Sequence, residues 1–325
     1  MGSDRLGYMD VFRGLCLCWI IEIHTNHPAF LDYPLHLPAL FFISGCFFKP
    51  YPWPIFWRKK VNQLVIPFVF FYLLYFVFLI GLNFLKFHEV SPDIWASIGD
   101  VFRPYAYNDG YRVNYPLWFI IALLVLQFSA FGLVHLVNNR WLLLLIATTL
   151  SLLGSFCLRK IPLYFMVGRA LSYFVYFMFG ALFGKTLISR CEQKSRREPL
   201  LAATLYSCAY LITHIFPLGR FHLAFQYVEF LSAAYLLSIL CHFLHHCKAT
   251  TIFRFVGENA LIVFGLHDMY LTVCRIFTLS FVGEMTLFLG FLNLVLVLLL
   301  MWPTVWLLKK YLPYCVGKKP ILSLP

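Results

Sequence analysis

The segment LVIPFVFFYLLYFVFLIGLNFL, residues 64–85, decides the class of fold, because it contains no charged side chain over its whole length. A helix of about 20 apolar residues is long enough to cross the hydrocarbon core of a bilayer. Similar apolar runs recur along the chain, and no stretch between them could form a separate soluble core. The sequence therefore predicts an integral membrane protein.

The composition supports the same class. Hydrophobic residues make up 61% of the 325 residues, whereas soluble domains are roughly 45–50% apolar. Windows of about 19 residues predict about ten spans, near residues 11–31, 35–49, 62–85, 115–137, 141–158, 167–187, 200–217, 223–244, 258–280 and 286–308. The predicted fold is an all-α, polytopic membrane helix bundle that forms a single domain over residues 1–325.

The net charge of +12 arises from short loops rather than from one basic face, so no nucleic-acid partner is predicted. If the N-terminus is cytoplasmic, most lysines and arginines fall on the inner side of the membrane, as the positive-inside rule requires. Both termini are therefore predicted to be cytoplasmic. The first apolar run contains Glu22 and His24 and has no small-residue cleavage site, so we interpret it as a retained span rather than a signal peptide.

The stretch DVFRGLCLCWIIEIHTNHP, residues 10–28, places ionisable side chains within an apolar run. A charged side chain near the bilayer centre costs at least about 2.5–3.5 kcal/mol, so such residues usually face a protein interior or a wet cavity. Arg13 and His24 are eleven positions apart, which is about three helical turns. They should project from nearly one helix face, about 16 Å apart along the axis.

Two interpretations of this pair stay open. In the functional one, Arg13 holds a phosphate near the inner membrane surface, and His24, deeper in the span, takes a proton from a hydroxyl. In the structural one, Arg13 is a positive-inside anchor, and His24 is a hydrogen-bonded packing residue. The functional interpretation predicts that a phosphorylated donor enters from the cytoplasm and meets a base.

A second polar cluster lies in GENALIVFGLHDMY, residues 257–270. His267 is predicted in mid-span, with Asn259 two helical turns before it. His267 can orient His24, bind acceptor hydroxyls, or only bond a neighbouring helix. Arg169 begins an earlier span at the outer surface, where it either holds an anionic acceptor or only extends toward the lipid headgroups.

The longest predicted outer segment, residues 86–114, carries several carboxylates and tyrosines, with Tyr115 at its edge. Such side chains can bind a sugar acceptor, and an ordinary interfacial loop is the alternative.

Another feature is the short second span, where Pro38 and Ser44-Gly45 are expected to interrupt the helix. Interrupted spans tend to line sites in membrane proteins.

Several motifs are missing from the sequence. It contains no HExxH zinc motif, no Walker loop, no GxSxG elbow and no paired CxxC spacing, so metalloprotease, ATPase and hydrolase functions lose support. No metal site is predicted. A secondary transporter or flippase that uses buried histidines for proton coupling stays open as the alternative function, although we find no internal repeat.

These motifs together resemble those of the membrane acyltransferase-3 family, which includes polysaccharide O-acetyltransferases. The resemblance rests on five ordered landmarks that cover nearly the whole chain. They are MDVFRG with Asp10 and Arg13 followed by His24, LPALFFISGCFF with Ser44, WRKKVNQLVIPF, LWFIIALL at 117–124, and GENALIVFGLH ending at His267.

The resemblance implies an integral membrane O-acyltransferase of a bacterial inner membrane. It implies that acyl-CoA, usually acetyl-CoA, binds from the cytoplasmic side against Arg13, and that His24 catalyses transfer to a hydroxyl of a glycan or lipid-linked sugar. The family often has a second basic residue three positions after the first, where this chain has Gln63. Donor binding is therefore assigned to Arg13 with Arg58, Lys59 and Lys60.

The expected mechanism needs no bound cofactor, because a thioester is already activated and acyl-CoA serves as a substrate. His24 either acts as a base on the acceptor hydroxyl or forms an acyl-imidazole intermediate. The remaining predicted residues lie on the acceptor side or support the site: Asp10, Ser44, Arg169, Asn259 and His267.

Overall fold

The structure is a computed structural model that describes residues 7–25, 35–192, 197–216, 222–284 and 286–323. Within these ranges the fold is all-helical, and the backbone makes one isolated β-bridge, between Tyr105 and Leu163. Four of the basic residues used to predict the orientation lie outside the described residues: Arg5, Lys194, Arg196 and Arg220.

The helices follow one another with short connections. In chain order they are α1 (Gly7–Ile23), α2 (His36–Cys46), α3 (Trp53–Lys60), α4 (Ile66–Phe87), α5 (Pro92–Ser97), α6 (Trp118–Leu136), α7 (Arg140–Leu152), α8 (Val167–Ser172), α9 (Phe174–Glu192), α10 (Arg197–Ile215), α11 (His222–Leu244), α12 (Thr251–Glu258), α13 (Ala260–Val282) and α14 (Leu287–Tyr311).

Each of the predicted apolar segments coincides with one or more of these helices. In the described ranges, 7 helices are long and apolar enough to cross a membrane, judged by length and composition. They are Trp53–Phe87, Tyr115–Leu136, Arg140–Cys157, Phe174–Glu192, His222–Leu244, Ala260–Val282 and Leu287–Tyr311. Many of their large apolar side chains are exposed, including Phe281 and Leu136, as expected of surfaces that face lipid. The count of ten spans and the orientation stay predictions.

A π-helical turn, Val61–Val65, joins α3 to α4. Its cause is local, since Pro67 has no N–H and its ring would clash with the carbonyl one α-turn earlier. The turn shifts the bonding register, and the Ile66 N–H donates to the Val61 carbonyl five residues back. Turns of this kind are frequent at functional sites.

The π-helical turn also holds the C-terminal segment through Asn62, a buried residue. The Asn62 side-chain oxygen accepts from the N–H groups of Ile321 and Leu322, and its amide nitrogen donates to the Leu322 carbonyl, all at 2.9 Å. Arg58 adds a bond to the Ser323 carbonyl at 2.9 Å. The chain after α14 therefore folds back onto α3 and the π-helical turn.

The Cα positions form two compact units. The first comprises the described residues within 1–20, 31–47 and 179–260. In this unit α1 and α12 touch backbone to backbone at two glycines. A Cβ atom added at Gly257 would lie 1.8 Å from the Asp10 carbonyl oxygen, and one at Gly14 would lie 1.8 Å from that of Phe253. Only glycine permits this approach.

The second unit comprises the described residues within 21–30, 48–178 and 261–325. Here the segment after α5 is tied to the segment before α8. Tyr105 and Leu163 exchange two backbone hydrogen bonds, at 3.0 and 2.9 Å, and the Tyr107 N–H donates to the Arg159 carbonyl. Near the end of the segment that joins α5 to α6, the Asn114 side chain donates to the Gly265 carbonyl of α13 at 3.1 Å.

Two local expectations are corrected. The span predicted at 167–187 breaks at Tyr173 into α8 and α9, whereas the span predicted at 258–280 corresponds to α13. By contrast, α2 runs through Ser44 and Gly45 without the expected interruption. The Ser44 hydroxyl donates to the Leu40 carbonyl of the same helix at 2.7 Å, so its polar group is satisfied inside an apolar helix.

Candidate active site

His24 and His267 form a direct pair within the second unit. His24 Nδ1 lies 3.1 Å from His267 Nε2, and the two rings stack with centroids 5.3 Å apart. The predicted span placed His24 inside a helix, but helix α1 ends at Ile23, just before it. The Thr25 hydroxyl donates to the Glu22 carbonyl at 2.7 Å. This closes a turn that presents His24 to α13.

The partners of His267 fix which nitrogen carries each hydrogen when both rings are neutral. His267 Nδ1 lies 2.8 Å from the Phe264 carbonyl oxygen, which can only accept, so Nδ1 must donate. His267 Nε2 then has the lone pair and accepts from His24 Nδ1. In this tautomer the lone pair of His24 lies on Nε2, so that nitrogen is the basic one.

The two histidines differ in accessibility. His267 is fully buried, packed against the ring of Phe264 at 5.5 Å, whereas His24 is partly exposed. A buried histidine bonded on both nitrogens is held in one orientation. A partly exposed one beside it can meet a reactant. A general base held by an orienting group would need the same two properties.

A polar network adjoins the pair along α13 and was not predicted. Asp268 accepts a hydrogen bond from the Tyr75 hydroxyl at 2.8 Å and lies 3.5 Å from Arg275. Tyr75 and Arg275 stand in apolar runs with no motif around them. The only sequence signal was the cost of placing Asp268 and Arg275 in one span, which predicts a pairing.

Arg13 and Asp10 form an ion pair in the first unit. Their side chains lie 3.1 Å apart, as an i, i+3 pair on α1. Arg13 also donates to the Gly257 carbonyl at 3.4 Å and lies 5.7 Å from the ring centroid of Phe47. The arginine side chain keeps 25% of its surface exposed, so its guanidinium is anchored and can still contact a ligand.

The basic residues at the end of α3 sit on aromatic rings. Lys59 Nζ lies 3.6 Å from the ring centroid of Tyr51, and Lys60 Nζ lies 5.2 Å from that of Phe56. Arg58 is held by the C-terminal segment through Ser323, as described above. All three belong to the second unit, whereas Arg13 belongs to the first, so a common donor site for them stays a prediction.

The other predicted residues are placed as follows. Ser44 bonds within α2, and the buried Asn259, at the break between α12 and α13, donates to the Phe255 carbonyl at 2.8 Å. Arg169 lies on α8 against two rings of the loop before α6 and against Trp118, the first residue of α6. Among the described residues, no three His, Cys, Asp or Glu side chains are grouped as metal ligands would be.

The same loop contains a fully buried carboxylate, Asp100, which is one of the acidic residues of the predicted outer segment 86–114. Asp100 lies 3.5 Å from Arg103 and 3.9 Å from Arg112. Burial, together with the negative charge of Asp100, raises the pKa of Tyr105 to about 12. Tyr105 therefore keeps its proton at physiological pH. The two ion pairs of Asp100 hold this part of the loop together.

A comparison with protein families places the chain in a known family. A family model described as an acyltransferase domain, that of the acyltransferase-3 family, matches residues 6–308. The fold and the match together define a membrane acyltransferase. The chain belongs to the membrane acyltransferase-3 family, so the resemblance noted in the sequence is confirmed. No curated protein and no solved structure matches the chain.

Proposed function

We propose that the protein transfers an acyl group, most simply acetyl, from acyl-CoA on the cytoplasmic side to a hydroxyl of a glycan or lipid-linked sugar. The observation that carries the proposal is the hydrogen bond between His24 Nδ1 and His267 Nε2. It gives an accessible histidine a fixed tautomer, with its lone pair on Nε2. Family membership favours this function over proton-coupled transport, for which a histidine pair alone would also serve.

In the proposed reaction, His24 acts as a general base. Its Nε2 takes the proton as the acceptor O–H bond breaks, and the oxygen forms a new bond to the thioester carbonyl carbon. The carbon–sulfur bond then breaks, and the CoA thiolate takes the proton from the imidazolium, which restores neutral His24. The Nδ1–H bond to His267 stays in place throughout and stabilises the imidazolium that forms.

CoA carries several phosphate charges, which need cations at the entry side. Arg13 is anchored by Asp10 and by the Gly257 carbonyl, so its guanidinium can hold a phosphate with little loss of conformational freedom. Lys59 and Lys60, at the end of α3, add charge beside aromatic faces. In this proposal Asp10 is a positioning residue, because it acts on the donor through Arg13.

Reversing the charge of Arg58, Lys59 and Lys60 to glutamate should raise the Michaelis constant for acyl-CoA by about tenfold or more, because each lost phosphate contact is worth about 1.5–3 kcal/mol. The Michaelis constant for the sugar should change little. The control is the pair Lys309→Glu and Lys310→Glu, exposed at the end of α14. Steady-state kinetics with each substrate varied in turn measure both constants, and equal changes in both would refute the assignment.

His267→Ala should lower the turnover number by about 10²-fold, because His24 loses the acceptor that fixes its tautomer. His267→Gln offers an amide oxygen as a replacement acceptor and should recover part of that loss. Neither change should alter the Michaelis constant for acyl-CoA. If alanine and glutamine variants lose activity equally while melting at the same temperature as each other, His267 has only a packing role.

The proposed function is tested with purified protein in lipid nanodiscs, supplied with labelled acetyl-CoA and a mixture of mono- and oligosaccharides. Transfer releases CoA thiol and yields a labelled sugar ester, which a thiol reagent and mass spectrometry detect separately. Proton-coupled transport would instead give pH-dependent sugar uptake into proteoliposomes with no thiol released. That second result would overturn the proposal.

A further inference from the structure

Arg169 occupies an aromatic enclosure in the second unit. Its guanidinium carbon lies 3.5 Å from the ring centroid of Trp118, 5.6 Å from that of Tyr115 and 5.7 Å from that of Tyr107. Nη1 donates to the Asp109 carbonyl at 3.1 Å and to the Tyr115 hydroxyl at 3.3 Å. Within the described part of the chain the buried Nε has no acceptor, so one N–H of the guanidinium lacks a partner. We name Arg169, its three rings and Arg159 the arginine–aromatic cluster.

A second cation shares one of these rings. The guanidinium carbon of Arg159 lies 5.3 Å from the ring centroid of Tyr107, and Arg159 is exposed. No carboxylate of the described residues lies within salt-bridge distance of either arginine. Asp109 accepts from Arg169 through its backbone carbonyl, and its carboxylate accepts from the Ala106 N–H instead. Two positive charges therefore stand beside one ring without a neutralising partner in these ranges.

A backbone bridge and two left-handed residues position the side chains of this cluster. The bridge between Tyr105 and Leu163 brings Tyr107 beside Arg159. Just before α8, Phe165 and Met166 have φ angles of +54° and +56°, a left-handed conformation that side chains other than glycine rarely adopt. Strain of this kind is concentrated at functional sites, and here it sets the start of the helix that carries Arg169.

From this arrangement we infer that the arginine–aromatic cluster binds the anionic group of an acidic sugar, so that the acceptor of the proposed reaction is a glycan bearing carboxylate or phosphate. This inference rests on the proposed function. A guanidinium binds either oxyanion through paired hydrogen bonds. The partly exposed faces of Tyr107 and Tyr115 offer flat apolar surfaces with a polar rim, which suit a sugar ring beside the anion.

Phosphate of a lipid headgroup has the same chemistry, so the test must separate the two sources. The full-length protein is placed in phosphatidylcholine nanodiscs without acyl-CoA, and binding is measured by equilibrium dialysis. The probes are 4-nitrophenyl β-D-glucuronide, the matched neutral 4-nitrophenyl β-D-glucoside, glucose 1-phosphate, and soluble dihexanoyl phosphatidylglycerol. Because no donor is present, binding is read independently of transfer.

The glucuronide should bind about tenfold more tightly than the glucoside, the value of one charge-assisted contact. Arg169→Gln and Arg159→Gln should each remove that preference. Lys160→Gln, which neutralises an exposed neighbour outside the cluster, should retain it. Arg159→Gln changes an exposed side chain and so keeps the test decisive if Arg169→Gln fails to fold.

Equal affinity for the two nitrophenyl sugars would overturn the inference, as would a preference that survives in both arginine variants. Arginine-dependent binding of the phosphatidylglycerol probe without arginine-dependent binding of either acidic sugar would also overturn it and would assign the cluster to lipid headgroups. A protein that prefers the glucuronide yet releases no CoA thiol would uphold the inference while refuting the proposed acyl transfer.

Discussion

His24→Ala is expected to lower the turnover number for acyl transfer by at least about 10²-fold, the usual contribution of a general base. The alanine side chain cannot take the proton of the acceptor hydroxyl. His267 Nε2 also loses its hydrogen-bond donor, His24 Nδ1, which lies 3.1 Å away. The Michaelis constant for acyl-CoA should stay near its original value, because Arg13 and the end of α3 are unchanged. The measurement is release of CoA thiol by purified protein in nanodiscs.

The matched control is His135→Ala. His135 is an exposed histidine at the end of α6, and its Nδ1 is hydrogen-bonded to the Phe131 carbonyl of its own helix, so its loss should leave turnover unchanged. Both variants should melt within a few degrees of the original protein. Full activity in a folded His24→Ala protein would remove the base from the mechanism and leave the histidine pair as a packing contact.

Gly257→Ala is expected to destabilise the protein by about 3 kcal/mol, the upper part of the usual range for overpacking. The added Cβ would lie 1.8 Å from the Asp10 carbonyl oxygen and 2.9 Å from the Gly14 nitrogen, and backbone atoms cannot rotate away. Helices α1 and α12 would have to separate, which would also move the carbonyl that Arg13 bonds. The thermal midpoint in detergent should fall, and the Michaelis constant for acyl-CoA should rise.

Gly81→Ala and Gly132→Ala are the controls, because nothing lies within 4 Å of a Cβ added at either position. Both lie in helices, where alanine is preferred to glycine by about 0.5–1 kcal/mol, so these variants should be as stable as the original or slightly more so. If Gly257→Ala melts at the same temperature as these controls, the close contact between α1 and α12 does not exist in solution.

The helical fold was predictable because apolar runs of spanning length have few other structures open to them in lipid. The break at Tyr173 was not, because the apolar pattern continues across that residue. The π-helical turn had a visible cause, Pro67, but its partner in the C-terminal segment is about 260 residues away in the sequence.

The candidate site was partly predictable for a similar reason. Asp10 and Arg13 are three positions apart on one helix, so their contact follows from helical geometry. His24 and His267 could each be selected as polar groups in apolar surroundings, but only the tertiary structure shows that they touch. The arginine–aromatic cluster depends on a bridge between two loops, and no periodicity in either loop predicts that pairing.

The hydrogen bond from His24 Nδ1 has a consequence for covalent labelling. With that nitrogen engaged by His267, an electrophile that modifies His24 will attach to the other ring nitrogen and produce the τ regioisomer. An acyl-imidazole formed during turnover will have the same regiochemistry. Peptide fragmentation that resolves the τ and π isomers of a stable alkyl adduct can therefore report the orientation of this ring in the working enzyme.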